Sequence, residues 1–242
     1  MNTVTNKMKV EIWSDVMCPF CYIGKRKFEK AMAQFADSSN IEVIWKSFQL
    51  SPDMVTDTTI STYQYLADHK GIPVADAKHM SDQVTQSAAR EGLVYNFDNA
   101  VVANSFKAHL FTHYAKSYGK QDAAEEALFK AYFTDGKNID DNSVLLSLGV
   151  SIGLDATDLN NTLLTDKHEA AVEADIIEAG ELGIRGVPFF VFDRKYAVSG
   201  AQDSSVFLQT LTQSVGEWKT QQSASTIAVT DGAVCTPDGV CE

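Results

Sequence analysis

Apolar positions along the chain follow two periods that alternate. Over residues 8–14 Met8, Val10, Ile12 and Trp13 recur at strand spacing, and the stretch reads as a buried strand. Over 20–36 they space as a single helical stripe. Phe28, Met32 and Phe35 share one side, and Lys25, Arg26, Lys27 and Lys30 lie mostly on the other. The Lys25-Arg26-Lys27 run therefore reads as a solvated helix face. Asn40 breaks the stripe, and 41–50 reads as a second strand with Val43, Trp45 and Phe48 turned inward. Strand, helix and strand at this length make a βαβ unit, with parallel strands and a right-handed crossover.

Ser51-Pro52 closes that unit. From about Thr59 to Gly180 strand-like stretches nearly vanish, and helical spacing predicts helices at 62–69, 74–92, 103–118, 123–133, 142–150, 156–164 and 166–182. Strand character returns at 186–192. Asp193-Arg194 reads as a turn, 196–199 as a return strand, and 204–220 as a last helix with Phe207, Leu211, Val215 and Trp218 on one side. The expected division is a discontinuous α/β domain (1–52 and 183–222), a helical insertion (53–182) and a tail (223–242).

Composition narrows the functional classes. The 242 residues are 45% hydrophobic, enough for a sizeable core. A formal net charge of −12 makes nucleic acid and anionic membrane surfaces poor partners. Nowhere do 18 apolar residues run together, so no membrane span is expected. Residues 1–7 are polar and no apolar signal core follows, so a cytoplasmic location is expected. In a reducing compartment four cysteines point to working thiols rather than a disulfide framework.

The chemistry concentrates at Cys18-Pro19-Phe20-Cys21, directly after the first strand and at the start of the first helix. Proline suits a first helical turn, where its missing N–H has no partner to lose. Cys18 then caps the helix, where unpaired amides and the helix dipole favour an anion such as a thiolate. That position makes Cys18 the expected exposed nucleophile, and Cys21, a turn later, the resolving thiol. A zinc site needs further ligands at suitable spacing. The other cysteines, Cys235 and Cys241, stand at the far end of the chain, and His109 and His113 lack a third ligand, so no metal is expected. His69, His79 and His168 read as solvated.

Larger motifs carry a resemblance. Ile12-Trp13-Ser14-Asp15-Val16-Met17-Cys18-Pro19-Phe20-Cys21-Tyr22-Ile23-Gly24-Lys25 and Gly183-Ile184-Arg185-Gly186-Val187-Pro188-Phe189-Phe190 are followed by Val198-Ser199-Gly200-Ala201-Gln202. Together they resemble the thioredoxin fold of the DsbA family, and most closely its FrnE-type dithiol–disulfide isomerases. Relatives include 2-hydroxychromene-2-carboxylate isomerases and kappa-class glutathione transferases. The resemblance implies a cis Val187–Pro188 bond beside the cysteines, with the Val187 backbone open to a substrate strand. Asp15 becomes a candidate for tuning the thiols or moving a proton. The Asn104–His109 segment resembles the helix that roofs the groove, so Asn104, His109, Gly200 and Gln202 are candidate groove residues. The small-molecule relatives usually carry serine where Cys18 stands, so two cysteines favour protein dithiol chemistry.

The expected function is thiol–disulfide oxidoreduction or isomerisation by mixed disulfides with protein substrates. No cofactor is expected beyond the redox-active disulfide. Glutathione is a candidate co-substrate, and a thioredoxin-type reductant a candidate partner. A glutathione-dependent isomerase or transferase using the same groove is the alternative, and a non-catalytic module with incidental cysteines a third reading. Pro237-Asp238-Gly239 is a turn signal that would bring Cys235 and Cys241 together as a candidate second redox pair, with an isolated tail disulfide or two idle thiols as the alternatives.

Overall fold

A computed structural model describes residues 7–165 and 167–224. Cys235 and Cys241 lie outside the described residues. The chain opens with β1 (Met8–Ser14), α1 (Pro19–Gln34) and β2 (Ile41–Ser47). β1 and β2 pair in parallel, Met8 opposite Ile41 and Ser14 opposite Ser47. β2 stops short of the expected residue 50. The Phe48 amide turns back to the Ser14 carbonyl at 3.0 Å, and the Leu50 amide donates to Asp15 Oδ2 at 2.8 Å.

The insertion is not wholly helical. It holds β3 (Asp57–Ser61), α2 (Thr62–Lys70), α3 (Val74–Arg90) and β4 (Val101–Val102), with β3 and β4 forming a small antiparallel sheet. The pattern could not show these strands, because β3 is polar and largely exposed and β4 has only two residues. Then come α4 (Phe106–Lys116), α5 (Gln121–Phe129), a π turn over Lys130–Thr134, α6 (Asn142–Ser151), α7 (Ala156–Leu164) and α8 (Glu169–Glu181). α4 starts later than expected because the Asn104 side chain builds the turn before it. Asn104 Oδ1 accepts from the Phe106 amide and Gln49 Nε2, and its Nδ2 donates to the Pro52 and Met54 carbonyls.

β5 (Phe189–Phe192) and β6 (Tyr196–Ser199) form a hairpin, and α9 (Ser204–Ala224) follows. Asp193 and Arg194 turn the hairpin at φ 49° and 55°, the left-handed pair that matches the twist of the flanking strands. β5 runs antiparallel to β1, giving the order β2-β1-β5-β6. It begins only after Pro188, which has no N–H to give a ladder.

Both faces of this sheet are covered. On one, Ile12, Phe190 and Phe192 meet Phe28 of α1 and Phe207 of α9, with Phe190 and Phe207 ring centroids 4.6 Å apart. On the other, Trp13 and Val191 pack with Ala179 and Ile184, and Trp13 Nε1 donates to the Asp175 carbonyl at 2.9 Å. The open edge of β2 is closed by side chains from the insertion. Gln121 accepts from the Trp45 amide and donates to its carbonyl, and Asp175 Oδ2 accepts from the Ser47 amide at 3.0 Å. No helix among the described residues is long and apolar enough to cross a membrane.

The Lys25-Arg26-Lys27 run is not a solvated face: Arg26 is held by Glu29 and Glu126, and Lys27 donates to the Ala201 carbonyl at 3.1 Å. Lys25 is not solvated: it is 3% exposed and faces Glu29, Asp122 and Glu126. Burial pulls its pKa down, but those three carboxylates outweigh burial and hold it above the ordinary lysine value. A helix stripe cannot reveal this, since two of the partners arrive from α5. Lys25→Met leaves these carboxylates short of a cation. The expected cost is about 2 kcal/mol in urea unfolding, below that of a fully buried pair because the partners reach solvent. A change under about 0.5 kcal/mol would contradict this role. His168 is also half-buried, its ring stacked on His113 at 6.4 Å, and burial holds its pKa below the ordinary histidine value.

Candidate active site

β1 delivers Cys18 to the N-cap of α1, with φ −85°, ψ 111° and Pro19 in the first turn. The Cys18 amide donates to the Asp15 carbonyl, and its carbonyl accepts from the Cys21 amide, both at 3.0 Å. Cys18 and Cys21 are free thiols. Tyr95 of the insertion donates to the Pro19 carbonyl at 2.7 Å and pins the turn between them. The expected exposure of Cys18 is corrected: it is 4% exposed and Cys21 1%. Cys18 Sγ sits 3.5 Å from the Val187 carbonyl oxygen, and half-buried Met17 and Val187 pack on the same core. Phe20, at 46% exposure, is instead the projecting residue of the motif.

The Val187–Pro188 bond is cis. The Pro188 carbonyl accepts from the Gly200 amide at 2.8 Å, and Gly200 holds φ 80°, where a side chain would be strained. A groove of about 400 Å³ lies here, lined among others by Arg185, Val187, Pro188, Ser199 and Gly200. Gln202 braces its wall by donating to the Ser199 carbonyl at 3.0 Å. Gly24 of α1 lets the helix seat against Pro188, since a Cβ there would lie 3.0 Å from Pro188 Cγ and 3.4 Å from Phe190 Cζ. Gly24→Val therefore forces Pro188 out of its seat against α1. Exchange should slow by about tenfold or more, because misplacement by a fraction of an ångström degrades attack geometry. Stopped-flow exchange alongside thermal unfolding checks this, and an unchanged rate would contradict the seating.

The two thiols are not equivalent. Burial pushes the Cys21 thiol well above its ordinary value, with the Cys18 sulfur acting in the same direction. The Ser14 hydroxyl and the backbone at Asp15 act weakly in the opposite sense.

Behind the cysteines lies a buried polar cluster. Asp15 is fully buried, and its Oδ1 accepts from the Met17 amide at 3.3 Å. His109 does not face the groove as expected: it is 2% exposed, with Nε2 3.7 Å from Asp15 Oδ1. Burial lowers the His109 pKa, but Asp15 first and Glu125 next outweigh it and favour the charged ring. Asn104, also expected at the groove, has its amide engaged in the turn before α4. Glu125 was missing from the candidate residues. It is 3% exposed, and burial pushes its pKa up to about 7. A signal existed: Gln121, Ala124, Glu125 and Leu128 occupy the i, i+3, i+4, i+7 stripe that α5 turns inward.

Other polar groupings carry no chemistry of this kind. Ser47 Oγ and Asp175 Oδ2 approach the same His113 nitrogen, at 3.2 and 3.0 Å, so they do not form a nucleophile–base–acid chain. No group of three or more potential metal ligands occurs among the described residues.

The sequence profile of the DSBA-like thioredoxin domain matches residues 9–212. A probable DsbA oxidoreductase from Streptomyces coelicolor superposes with a TM-score of 0.81 at 38% identity, over 97% of this chain and 98% of that one. The uncharacterized protein YwbO of Bacillus subtilis is 28% identical over 207 residues, 82% of this chain and 92% of its own length. The cytosolic disulfide reductase DsbM of Pseudomonas aeruginosa shares the fold, with a TM-score of 0.59 at 16% identity over 90% of this chain and 100% of that one.

Proposed function

The chain belongs to the DSBA-like thioredoxin domain family, and from this we propose that it exchanges disulfides with protein substrates through Cys18 and Cys21. The observation that carries the proposal is the asymmetry of the pair. Cys18 stands at a helix N-cap with its sulfur 3.5 Å from the Val187 carbonyl oxygen, and Cys21 is held protonated by burial. Cys18 as thiolate attacks one sulfur of a substrate disulfide, and the other sulfur leaves as a thiolate. Cys21 then loses its proton and attacks Cys18. A Cys18–Cys21 disulfide forms, the second substrate thiolate departs, and two electrons have passed to the substrate. The reverse sequence oxidises a substrate dithiol.

Protein substrates are favoured by the apolar rim. Phe20, inside the motif, is 46% exposed, and Leu50, whose amide is tied to Asp15, is 47% exposed, so an unfolded chain finds exposed apolar side chains to contact. The helical insertion selects among such chains, and Pro188, Val187 and Gly200 form the docking edge. The same proposal places the protein in the cytoplasm, with glutathione or a thioredoxin-type protein as electron donor and no bound cofactor. The test compares kcat/KM for reduction of a disulfide-bonded unfolded protein with that for glutathione disulfide. The protein should be preferred by about tenfold or more, the contribution of about 1.4 kcal/mol of extra contact. Exchange confined to glutathione disulfide would support a small-molecule enzyme instead.

A further inference from the structure

Tyr95, on the loop between α3 and β4, is buried, and its hydroxyl donates to the Pro19 carbonyl at 2.7 Å, inside the dithiol turn. Several elements fix where that hydroxyl lies. The Tyr95 ring stacks on Phe133 of the π turn, centroids 4.6 Å apart, and stands edge-on to Phe97 at 5.7 Å. Tyr22 of α1 stacks on it at 6.2 Å. The backbone on either side is clamped as well. The Asn96 amide donates to the Phe133 carbonyl and the Thr134 hydroxyl to the Val94 carbonyl, both at 2.7 Å. A π turn inside a helical run is rare and frequently marks a functional site. Here it supplies both the ring and the hydroxyl that hold Tyr95.

The Pro19 carbonyl and the Phe20 N–H are the two ends of one planar peptide group. Phe20 is the second residue of α1, and an N-cap side chain takes its hydrogen bond from the second or third amide. The third, that of Cys21, is engaged by the Cys18 carbonyl. The Phe20 amide has no acceptor among the described residues, and the Cys18 side chain makes no capping bond. As a thiol, Cys18 donates instead to the Val187 carbonyl at 3.5 Å. A thiolate has no proton to donate, and the amide left to receive it is that of Phe20. A hydrogen bond to a thiolate is charge-assisted. A donor on the carbonyl end of the same peptide strengthens it, because linked hydrogen bonds polarise one another. Burial first, and the neighbouring Cys18 sulfur next, push the Tyr95 phenol up, so its proton stays in place to be donated.

We propose that Tyr95 sets the redox poise of the dithiol: its hydroxyl, acting through the Pro19–Phe20 peptide, strengthens the amide that receives the Cys18 thiolate. Resting on the dithiol reading above, this makes Tyr95 a positioning residue that the insertion supplies to the thioredoxin unit. Two glutathione thiols reduce the Cys18–Cys21 disulfide and leave as glutathione disulfide. Two electrons and two protons pass to the cysteines, and the Cys18 proton passes on to solvent as the thiolate forms. Tyr95 stabilises that thiolate and not the disulfide, so it favours the reduced form and makes the couple more oxidising.

The test equilibrates the whole chain with glutathione buffers at several pH values and reads the Cys18–Cys21 peptide by alkylation and mass. At neutral pH, Tyr95→Phe should shift the equilibrium about threefold toward the disulfide, the size expected from the loss of one polarising neighbour beside a charge-assisted bond. The shift should fade as the buffer is made acidic, where Cys18 keeps its proton. A chain with 3-fluorotyrosine in place of Tyr95 carries a more acidic phenol and a stronger donor, and should move the equilibrium the other way. A merely structural tyrosine predicts neither the pH dependence nor the reversal. An equilibrium unchanged in Tyr95→Phe, or shifted equally at acidic and neutral pH, overturns the proposal. Should Tyr95→Phe not fold, a 3-fluorotyrosine chain that equals wild type or favours the disulfide overturns it equally. Failure of the wild-type chain to form a Cys18–Cys21 disulfide in any buffer would instead refute the dithiol reading itself.

Discussion

Replacing Cys18 by serine should abolish disulfide exchange, whereas replacing Cys21 by serine should turn the protein into a trap. The difference follows from their positions. Serine suits the α1 N-cap but cannot attack a disulfide near neutral pH, so exchange should fall by at least about a thousandfold. Cys21→Ser leaves the attacking sulfur beside Val187 and removes only the thiol that releases it. Mixed disulfides on Cys18 should then persist until an external thiol reaches a sulfur that is 4% exposed. Non-reducing gels after a substrate chase, with mass spectrometry of the adducts, distinguish the two variants. Adducts on Cys21 in Cys18→Ser, with none on Cys18 in Cys21→Ser, would reverse the roles.

Glu125→Gln should make the protein more stable at pH 8 by about 2 kcal/mol. Folding raises Glu125 from an ordinary 4.5 to about 7. The folded state therefore binds this proton more tightly than the unfolded state. The resulting stability is fully present below about 4.5 and is lost progressively as pH rises to about 7. The full shift corresponds to about 3 kcal/mol, which relaxation around the group reduces. Glutamine has no proton to lose. The variant should match wild type near pH 4 and exceed it above pH 7, as read by urea unfolding at both pH values. Carboxylates held low by cations, such as Glu126 at about 2, lose their contribution as pH falls, but they do so equally in both proteins and cancel in the difference. A variant less stable than wild type at pH 8 would mean that the charged carboxylate supports the fold.

The sheet and the motif were largely legible because local pattern determines them. Val10, Ile12 and Trp13 can only be a buried strand, and Pro19 after Cys18 fixes where α1 begins. Asp193-Arg194 announced the hairpin. What could not be read depends on partners distant in sequence. Lys25 is drawn inward by Asp122 and Glu126, roughly a hundred residues away, against the polarity of its own helix. Cys18 is covered by Val187, which the fold brings back from the other side of the insertion. His109 had the right neighbourhood and the wrong orientation. Its helix was legible, but the direction of its ring depends on Asp15. β3 and β4 escaped because a polar five-residue strand and a two-residue partner leave no period to detect.

The most direct test of the dithiol assignment is to equilibrate the whole chain with glutathione buffers from reducing to oxidising. The remaining thiols are then alkylated and the peptide bearing Cys18 and Cys21 is weighed. The assignment predicts one two-electron transition, in which both cysteines are alkylated or both are joined, with a Cys18–glutathione adduct scarcely populated between them. A peptide that carries glutathione on Cys18 while Cys21 stays alkylated across the whole range would contradict it.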